Sequence, residues 1–89
     1  MQLEKDYDEM GYSIDAGVET SVRDVGDFRY VLAANSSIDP AGVTFRGLAG
    51  VADGDIDVLG ENRKVPVKGG SFHDTYTGLA VHLYRAARS

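Results

Sequence analysis

The chain of 89 residues has no cysteine, no tryptophan and only two prolines. Without cysteine it can form neither a disulfide nor a thiolate metal site. The absence of cysteine fits an oxidising and a reducing compartment equally well. No apolar run approaches the roughly 20 residues that a membrane-spanning helix needs. Residues 1–8 are too acidic for a signal peptide. We therefore expect no membrane contact and no targeting signal within this chain.

Clusters of basic residues are also missing. Eight acidic residues and two basic ones fall within residues 1–27, which gives that region a net charge of −6 and leaves +1 for the rest of the chain. A nucleic-acid surface needs clustered Lys and Arg to neutralise phosphates. Nucleic acid is therefore not an expected partner.

The composition fits one small globular domain. A hydrophobic fraction of 43% and a charged fraction of 26% are ordinary for a folded protein, and a chain of this length can bury a single core. Residues 1–9 have no repeating pattern, so we interpret them as a tail or the remnant of an interdomain linker. Residues 10–89 are predicted to form a single β-sandwich domain.

Alternation of apolar and polar residues predicts β-strands. The clearest case is a hairpin in which residues 18–22 and 28–34 flank Val25-Gly26-Asp27. We predict a three-residue loop, because it places Val22 opposite Tyr30 and keeps the apolar residues of both runs on one face.

Further short alternating runs follow at intervals of about 8–12 residues, and no segment shows sustained helical periodicity. The predicted fold is all-β, an antiparallel β-sandwich of about seven or eight short strands. Besides the hairpin, the strands are expected near residues 43–48, 56–59, 63–67, 71–76 and 79–85, with 13–16 as an additional candidate. Pro66 should lie on an edge strand or at a bulge, because it has no N–H to donate.

The apolar side of each alternation predicts the core. The residues placed there are Phe28, Tyr30, Leu32, Val43, Phe45, Val65, Phe72, Val81 and Leu83.

The last third of the chain repeats a pattern of short runs and turns. Turn residues stand at Gly60-Glu61-Asn62, at Gly69-Gly70 and at Thr77-Gly78. The runs between them contain V-x-x-E-x-R-x-V (58–65), S-F-H-D (71–74) and A-V-H-L-Y-R (80–85). This sequence pattern resembles the end of the β-sandwich domain that follows the catalytic barrel in many multidomain glycoside hydrolases. The resemblance covers roughly residues 28–85, and the chain departs from it at Thr77-Gly78, where the resembling domains tend to have an aromatic residue or proline.

The resemblance implies a non-catalytic accessory domain of a glycoside hydrolase, active in carbohydrate metabolism. Its partner would be the catalytic domain of the same polypeptide, which it would pack against and stabilise. No catalytic residue belongs to the pattern, and no serine lies in a G-x-S-x-G context, so we predict no enzyme activity within this chain. The location would be extracellular if the parent enzyme is secreted.

The alternative function is a small carbohydrate-binding module, with polysaccharide as the partner. Such modules stack sugar rings on exposed aromatic side chains. Most aromatic residues of this chain fall on predicted core faces, so the candidate platforms are Tyr7, Tyr12 and Tyr76, with Tyr84 facing either solvent or a neighbouring domain.

Two groups of residues raise the question of a metal ion, which would make the chain a metal-stabilised interaction domain. Asp53, Asp55 and Asp57 stand at alternate positions and offer oxygen ligands to calcium, but calcium takes six or more oxygens. A two-residue hairpin at Thr77-Gly78 would bring His73 opposite His82, near enough for one metal ion. In both cases we favour the simpler interpretation, which is solvated acids and packing or surface histidines, and we expect no cofactor.

Overall fold

A computed structural model describes residues 3–8 and 17–88. These residues form eight antiparallel strands in two sheets, which confirms the predicted all-β sandwich. The strands are β1 (Glu4–Tyr7), β2 (Val18–Val25), β3 (Phe28–Asn35), β4 (Ala41–Arg46), β5 (Gly54–Val58), β6 (Arg63–Val67), β7 (Phe72–Tyr76) and β8 (Val81–Ala87). The three-stranded sheet has the order β1-β4-β7, and the five-stranded sheet has the order β2-β3-β8-β5-β6.

One of these strands bears directly on an expectation from the sequence. The strand β6 is an edge of the five-stranded sheet and carries Pro66, so the predicted edge position is confirmed. The candidate strand at 13–16 lies outside the described residues.

Within the described part of the chain, no helix is long and apolar enough to cross a membrane.

Residues 4–7 form a strand, so the expectation of a tail over residues 1–9 is wrong for this stretch. The strand β1 pairs with β4, and Arg46 reaches the carboxylates of Glu4 at 3.0 Å and Asp6 at 2.6 Å. Leu3 is buried in the core beside it. The sequence of β1 is mostly charged and shows no apolar alternation, so its pairing partner is what makes it a strand.

The β2–β3 hairpin exists, but its turn has two residues, Gly26-Asp27, and the predicted three-residue loop is wrong. Gly26 has a φ of +60°, which a tight two-residue turn favours and which glycine adopts freely. Val22 consequently lies opposite Val31 and not opposite Tyr30. Because a shift of one residue exchanges the two faces of a strand, Val31 is buried and Leu32 is exposed.

The core lies between the sheets and centres on four aromatic rings. Phe45 stacks on Phe72 with ring centroids 4.8 Å apart, and Tyr76 and Tyr84 pack edge-on or tilted against this pair. Of the predicted core residues, the following are buried as expected: Val43, Phe45, Val65 and Phe72. The expectation was wrong for those that face outward or are half-buried: Phe28, Tyr30, Leu32, Val81 and Leu83.

The strands β7 and β8 lie in different sheets, so Thr77-Gly78 does not close a hairpin. The chain instead crosses from one sheet to the other along the β3–β4 loop, where the Leu79 N–H donates to the Ser37 carbonyl at 2.9 Å. A Cβ at Gly78 would collide with the carbonyl of Ile38, so this close approach requires glycine. The crossing separates the two histidines that a hairpin would have joined.

Candidate functional site

The outer face of the three-stranded sheet is polar. Its outward residues alternate with the buried positions of β4 and β7 and pair across the strands. They are Glu4, Asp6, Thr44, Arg46, His73 and Thr75. This is the ordinary pattern of an antiparallel sheet with one face in the core and the other in water.

The outer face of the five-stranded sheet is different, because it is apolar across β3 and β8 and at the end of β2. Four large apolar side chains are well exposed there: Val25 at 63%, Val81 at 57%, Leu32 at 45% and Phe28 at 39%. Half-buried Tyr30 and Leu83 fill the space between them, with Leu83 directly opposite Leu32. We call these six residues the apolar outer face.

A groove of about 370 Å³ runs over this surface beside β2. It is lined by Ser21, Arg23, Val25, Tyr30, Leu32 and Leu83. One side of the surface is closed by Arg85, whose guanidinium lies 5.0 Å from the centre of the Phe28 ring and bonds Asp57 at 3.0 Å. The hydrogen bond from Arg85, followed by that from Lys64, holds the pKa of Asp57 below its usual value. The apolar outer face thus has a charged border.

A buried carboxylate links the two sheets on the inner side. Asp74 of β7 is 7% exposed and accepts two hydrogen bonds from Arg63 of β6, at 2.9 and 3.0 Å. It also accepts the Tyr84 hydroxyl of β8 at 2.6 Å and the Thr75 N–H at 2.8 Å. The Tyr84 oxygen lies 2.6 Å from that of Tyr76. We call Arg63, Asp74, Tyr76 and Tyr84 the Asp74 network.

The network fixes the ionisation of its members. Burial disfavours the charged form of Asp74, but the hydrogen bonds from Arg63, Tyr84 and the Thr75 N–H outweigh it, and the pKa of Asp74 is lowered. Burial raises the pKa of Tyr84 and Tyr76 well above that of a free phenol. Asp74 is therefore an ionised acceptor and the tyrosines are neutral, which is an arrangement that connects sheets and has no free base or nucleophile.

His82 and Glu61 extend this network towards the rim of the sandwich. Glu61 bonds the Arg63 Nε at 2.9 Å and also contacts the His82 Nδ1, while the His82 Nε2 lies 3.1 Å from the Thr75 carbonyl. The His82 ring packs 4.4 Å from the Tyr76 ring. The histidine is thus held by packing and hydrogen bonds.

Two of the candidate sugar platforms are buried in the core. Tyr76 and Tyr84 are almost completely buried, so the expectation that they are exposed is wrong. Tyr12 lies outside the described residues, and Tyr7 is 39% exposed, with its hydroxyl accepting the Val18 N–H at 3.1 Å. Tyr84 is buried because the register of β8 turns Leu83 towards the outer face and Tyr84 towards the core.

The candidate metal ligands are not brought together. Asp53 accepts the Gly69 N–H at 2.8 Å and Asp57 bonds Arg85, while Asp55 lies opposite Pro66 on the β5–β6 ladder. Across residues 3–8 and 17–88, no group of three or more His, Cys, Asp or Glu side chains is placed to hold a metal ion.

The two histidines are also apart. His73 lies on the outer face of the three-stranded sheet, where its Nε2 is 2.9 Å from an Asp8 carboxylate oxygen. His82 belongs to the five-stranded sheet. The paired arrangement considered from the sequence does not form.

Calcium should therefore leave the stability unchanged. We expect the same melting temperature with calcium, with magnesium and with chelator, because Asp53 and Asp57 already have protein partners and only a specifically bound ion stabilises by mass action. Thermal unfolding of the unaltered protein and of Asp55→Ala checks this. A calcium-specific rise that Asp55→Ala abolishes would contradict it.

The apolar outer face was not foreseen as a surface. The sequence of β3, FRYVLAAN, has apolar residues on both sides of its alternation, with Val31 and Ala33 on one side and Tyr30 and Leu32 on the other. That double pattern is the signal that both faces of β3 are covered or that one is an exposed apolar surface.

Neither protein-family models, nor curated proteins, nor solved structures give a match to this chain. The resemblance to accessory domains of glycoside hydrolases stays a prediction from the sequence.

Proposed function

We propose that this protein is a non-catalytic accessory domain that packs against a neighbouring folded domain through the apolar outer face. One observation supports this most directly, which is the contrast between the two outer faces. The three-stranded sheet presents charged and polar side chains, whereas the five-stranded sheet exposes Val25, Phe28, Leu32 and Val81 together. Contiguous exposed apolar surface of this kind is typical of interaction sites, whereas single exposed apolar residues are not.

A domain of the same polypeptide is the partner that fits this surface best. Interfaces between domains of one chain bury on the order of 600–1,500 Å² and mix apolar with polar contacts. The apolar outer face provides such a mixture, since its border carries Arg85 and Asp57. The resemblance in residues 28–85 adds the expectation that the partner is the catalytic domain of a glycoside hydrolase, which the accessory domain would stabilise.

The geometry does not favour the alternative of a carbohydrate-binding module. A sugar platform needs an aromatic ring face open to solvent, and Tyr76 and Tyr84 are both buried. On the apolar outer face, Phe28 is covered by the Arg85 guanidinium on one side.

The test uses the domain that is encoded next to this one in the same reading frame. When that purified domain is added, we expect amide chemical shifts to change on β2, β3 and β8. The double variant Leu32→Asp/Val81→Asp should weaken this binding by about tenfold or more, because burying a Leu or Val side chain contributes about 1.5–3 kcal/mol. Both positions are exposed, so the variant should fold normally.

Thr75→Asp is the control, since it places a negative charge on the exposed outer face of the three-stranded sheet and should leave binding unchanged. Shift changes confined to that sheet, or a reading frame without a second folded domain, would contradict the proposal. Localised, saturable shifts on titration with oligosaccharides would favour the carbohydrate-binding module instead.

A further inference from the structure

The strand β2 has one unpaired edge within the described part of the chain. Its eight residues pair with β3 on one side only. The Val18 N–H points away from β3 and donates to the Tyr7 hydroxyl at 3.1 Å. Because backbone groups alternate along a strand, the N–H and C=O groups of Thr20, Val22 and Asp24 also point to this side, and no backbone hydrogen bond from residues 3–8 or 17–88 reaches them.

The charges along this edge are of both signs, and only some of them form ion pairs with described residues. Asp24 bonds Arg29 at 2.6 and 2.9 Å. The side chains of Glu19 and Arg23 alternate with those of Thr20, Val22 and Asp24 and point to the outer face of the sheet. Neither forms an ion pair with any described residue. An exposed edge strand is a template for pairing with another strand unless something blocks it.

We propose that the edge of β2 pairs antiparallel with β2 of a second copy of this chain, around a two-fold axis at Ser21. The sequence Glu19-Thr20-Ser21-Val22-Arg23 is self-complementary in this register. Glu19 then lies opposite Arg23 of the partner subunit, and Arg23 lies opposite Glu19 of the partner subunit. Ser21 lies opposite Ser21 of the partner subunit. A closed two-fold arrangement of this kind uses the same patch on both chains.

The register agrees with the hydrogen-bonding positions of the backbone. Thr20 and Val22 of one copy would face Val22 and Thr20 of the partner subunit, and each such pair exchanges two N–H···O=C bonds. The pairs at Glu19 and Arg23 are then the closer, non-hydrogen-bonded kind, in which opposite charges face each other directly. The two five-stranded sheets become one continuous sheet.

This pairing is separate from the proposed docking through the apolar outer face. It uses the edge of β2, whereas docking uses the side-chain surface of the sheet, so either can fail while the other holds. The variant Leu32→Asp/Val81→Asp tests docking and should leave the pairing of β2 unchanged.

Charge reversal tests the register. We expect the unaltered protein to sediment as a concentration-dependent monomer–dimer mixture. Glu19→Arg alone and Arg23→Glu alone should each raise the dimer Kd by about tenfold or more, since each makes both contacts repulsive. Mixing the two single variants should restore association, because every contact in the mixed dimer is again between opposite charges. Both residues are exposed, so circular dichroism should show folded protein in each case.

A disulfide provides a second measurement that does not depend on charge. The chain has no cysteine, so Ser21→Cys would carry one thiol, at the two-fold axis. Directly opposite residues of a non-hydrogen-bonded pair are about 4.5 Å apart at Cα, which a disulfide can span. Ser21→Cys should therefore form a covalent dimer faster under mild oxidation than Val25→Cys, which is also exposed but lies off the axis. A monomer at every concentration, no recovery on mixing, or equal cross-linking of the two thiols would overturn the proposal.

Discussion

Phe45→Ala is expected to lower the free energy of unfolding by about 3–5 kcal/mol, a large part of the stability of a small domain. Phe45 is fully buried and lies at the centre of the aromatic core. Its ring stacks on Phe72 at 4.8 Å and lies 6.2 and 6.4 Å from the rings of Tyr76 and Tyr84. Truncation to alanine would leave a cavity that the two sheets cannot close without losing these contacts. Denaturant unfolding followed by circular dichroism measures the effect.

The matched control for this substitution is Leu32→Ala. It also removes a large apolar side chain from a strand, but Leu32 is 45% exposed on the outer face and leaves no enclosed cavity. We expect its cost to be well under half that of Phe45→Ala. Equal losses for the two variants would contradict the assignment of inner and outer faces.

Asp74→Asn is the second large effect, with an expected loss of about 3 kcal/mol, at the lower end for breaking a buried ion pair. Asparagine keeps the shape of the side chain but removes the charge, and its amide would confront the Arg63 donors or the Tyr84 hydroxyl. The loss stays at the lower end because the Arg63 side chain is 35% exposed and keeps Glu61. Equilibrium unfolding at neutral pH measures it, and the exposed Asp55→Asn is the control, which should change little.

Acid should destabilise the unaltered protein through the same residue. The folded-state pKa of Asp74 lies below its unfolded value, which is about 4. Its contribution to stability is therefore complete above pH of about 4 and is lost as the pH falls through the folded-state pKa. Asp74→Asn should lower stability at neutral pH and flatten this acid dependence. An unchanged acid dependence in that variant would show that other carboxylates carry it.

The local features of the sequence determined most of the strands and several of the turns. Alternation in short runs, with no helical period, predicted the antiparallel sandwich that the sheets confirm. Gly60-Glu61-Asn62 and Gly69-Gly70 stand where β5 is joined to β6 and β6 to β7. Pro66 marked an edge strand because its ring removes a donor, a property of the residue itself. These inferences depend on neighbours in the chain, which a sequence displays directly.

The tertiary structure alone decided which side of each strand is buried and which strands are neighbours. The apolar residues on both sides of β3 allowed either face to be the core, and the two-residue turn at Gly26-Asp27 selected Val31 over Leu32. Tyr84 is buried because Asp74, on a strand of the other sheet, accepts its hydroxyl and so satisfies it away from water. The separation of β7 and β8 into different sheets likewise depends on contacts of Gly78 and Leu79 with the β3–β4 loop. Each of these outcomes follows from free-energy differences between distant pairings, and the local pattern of the chain is nearly the same for the alternatives.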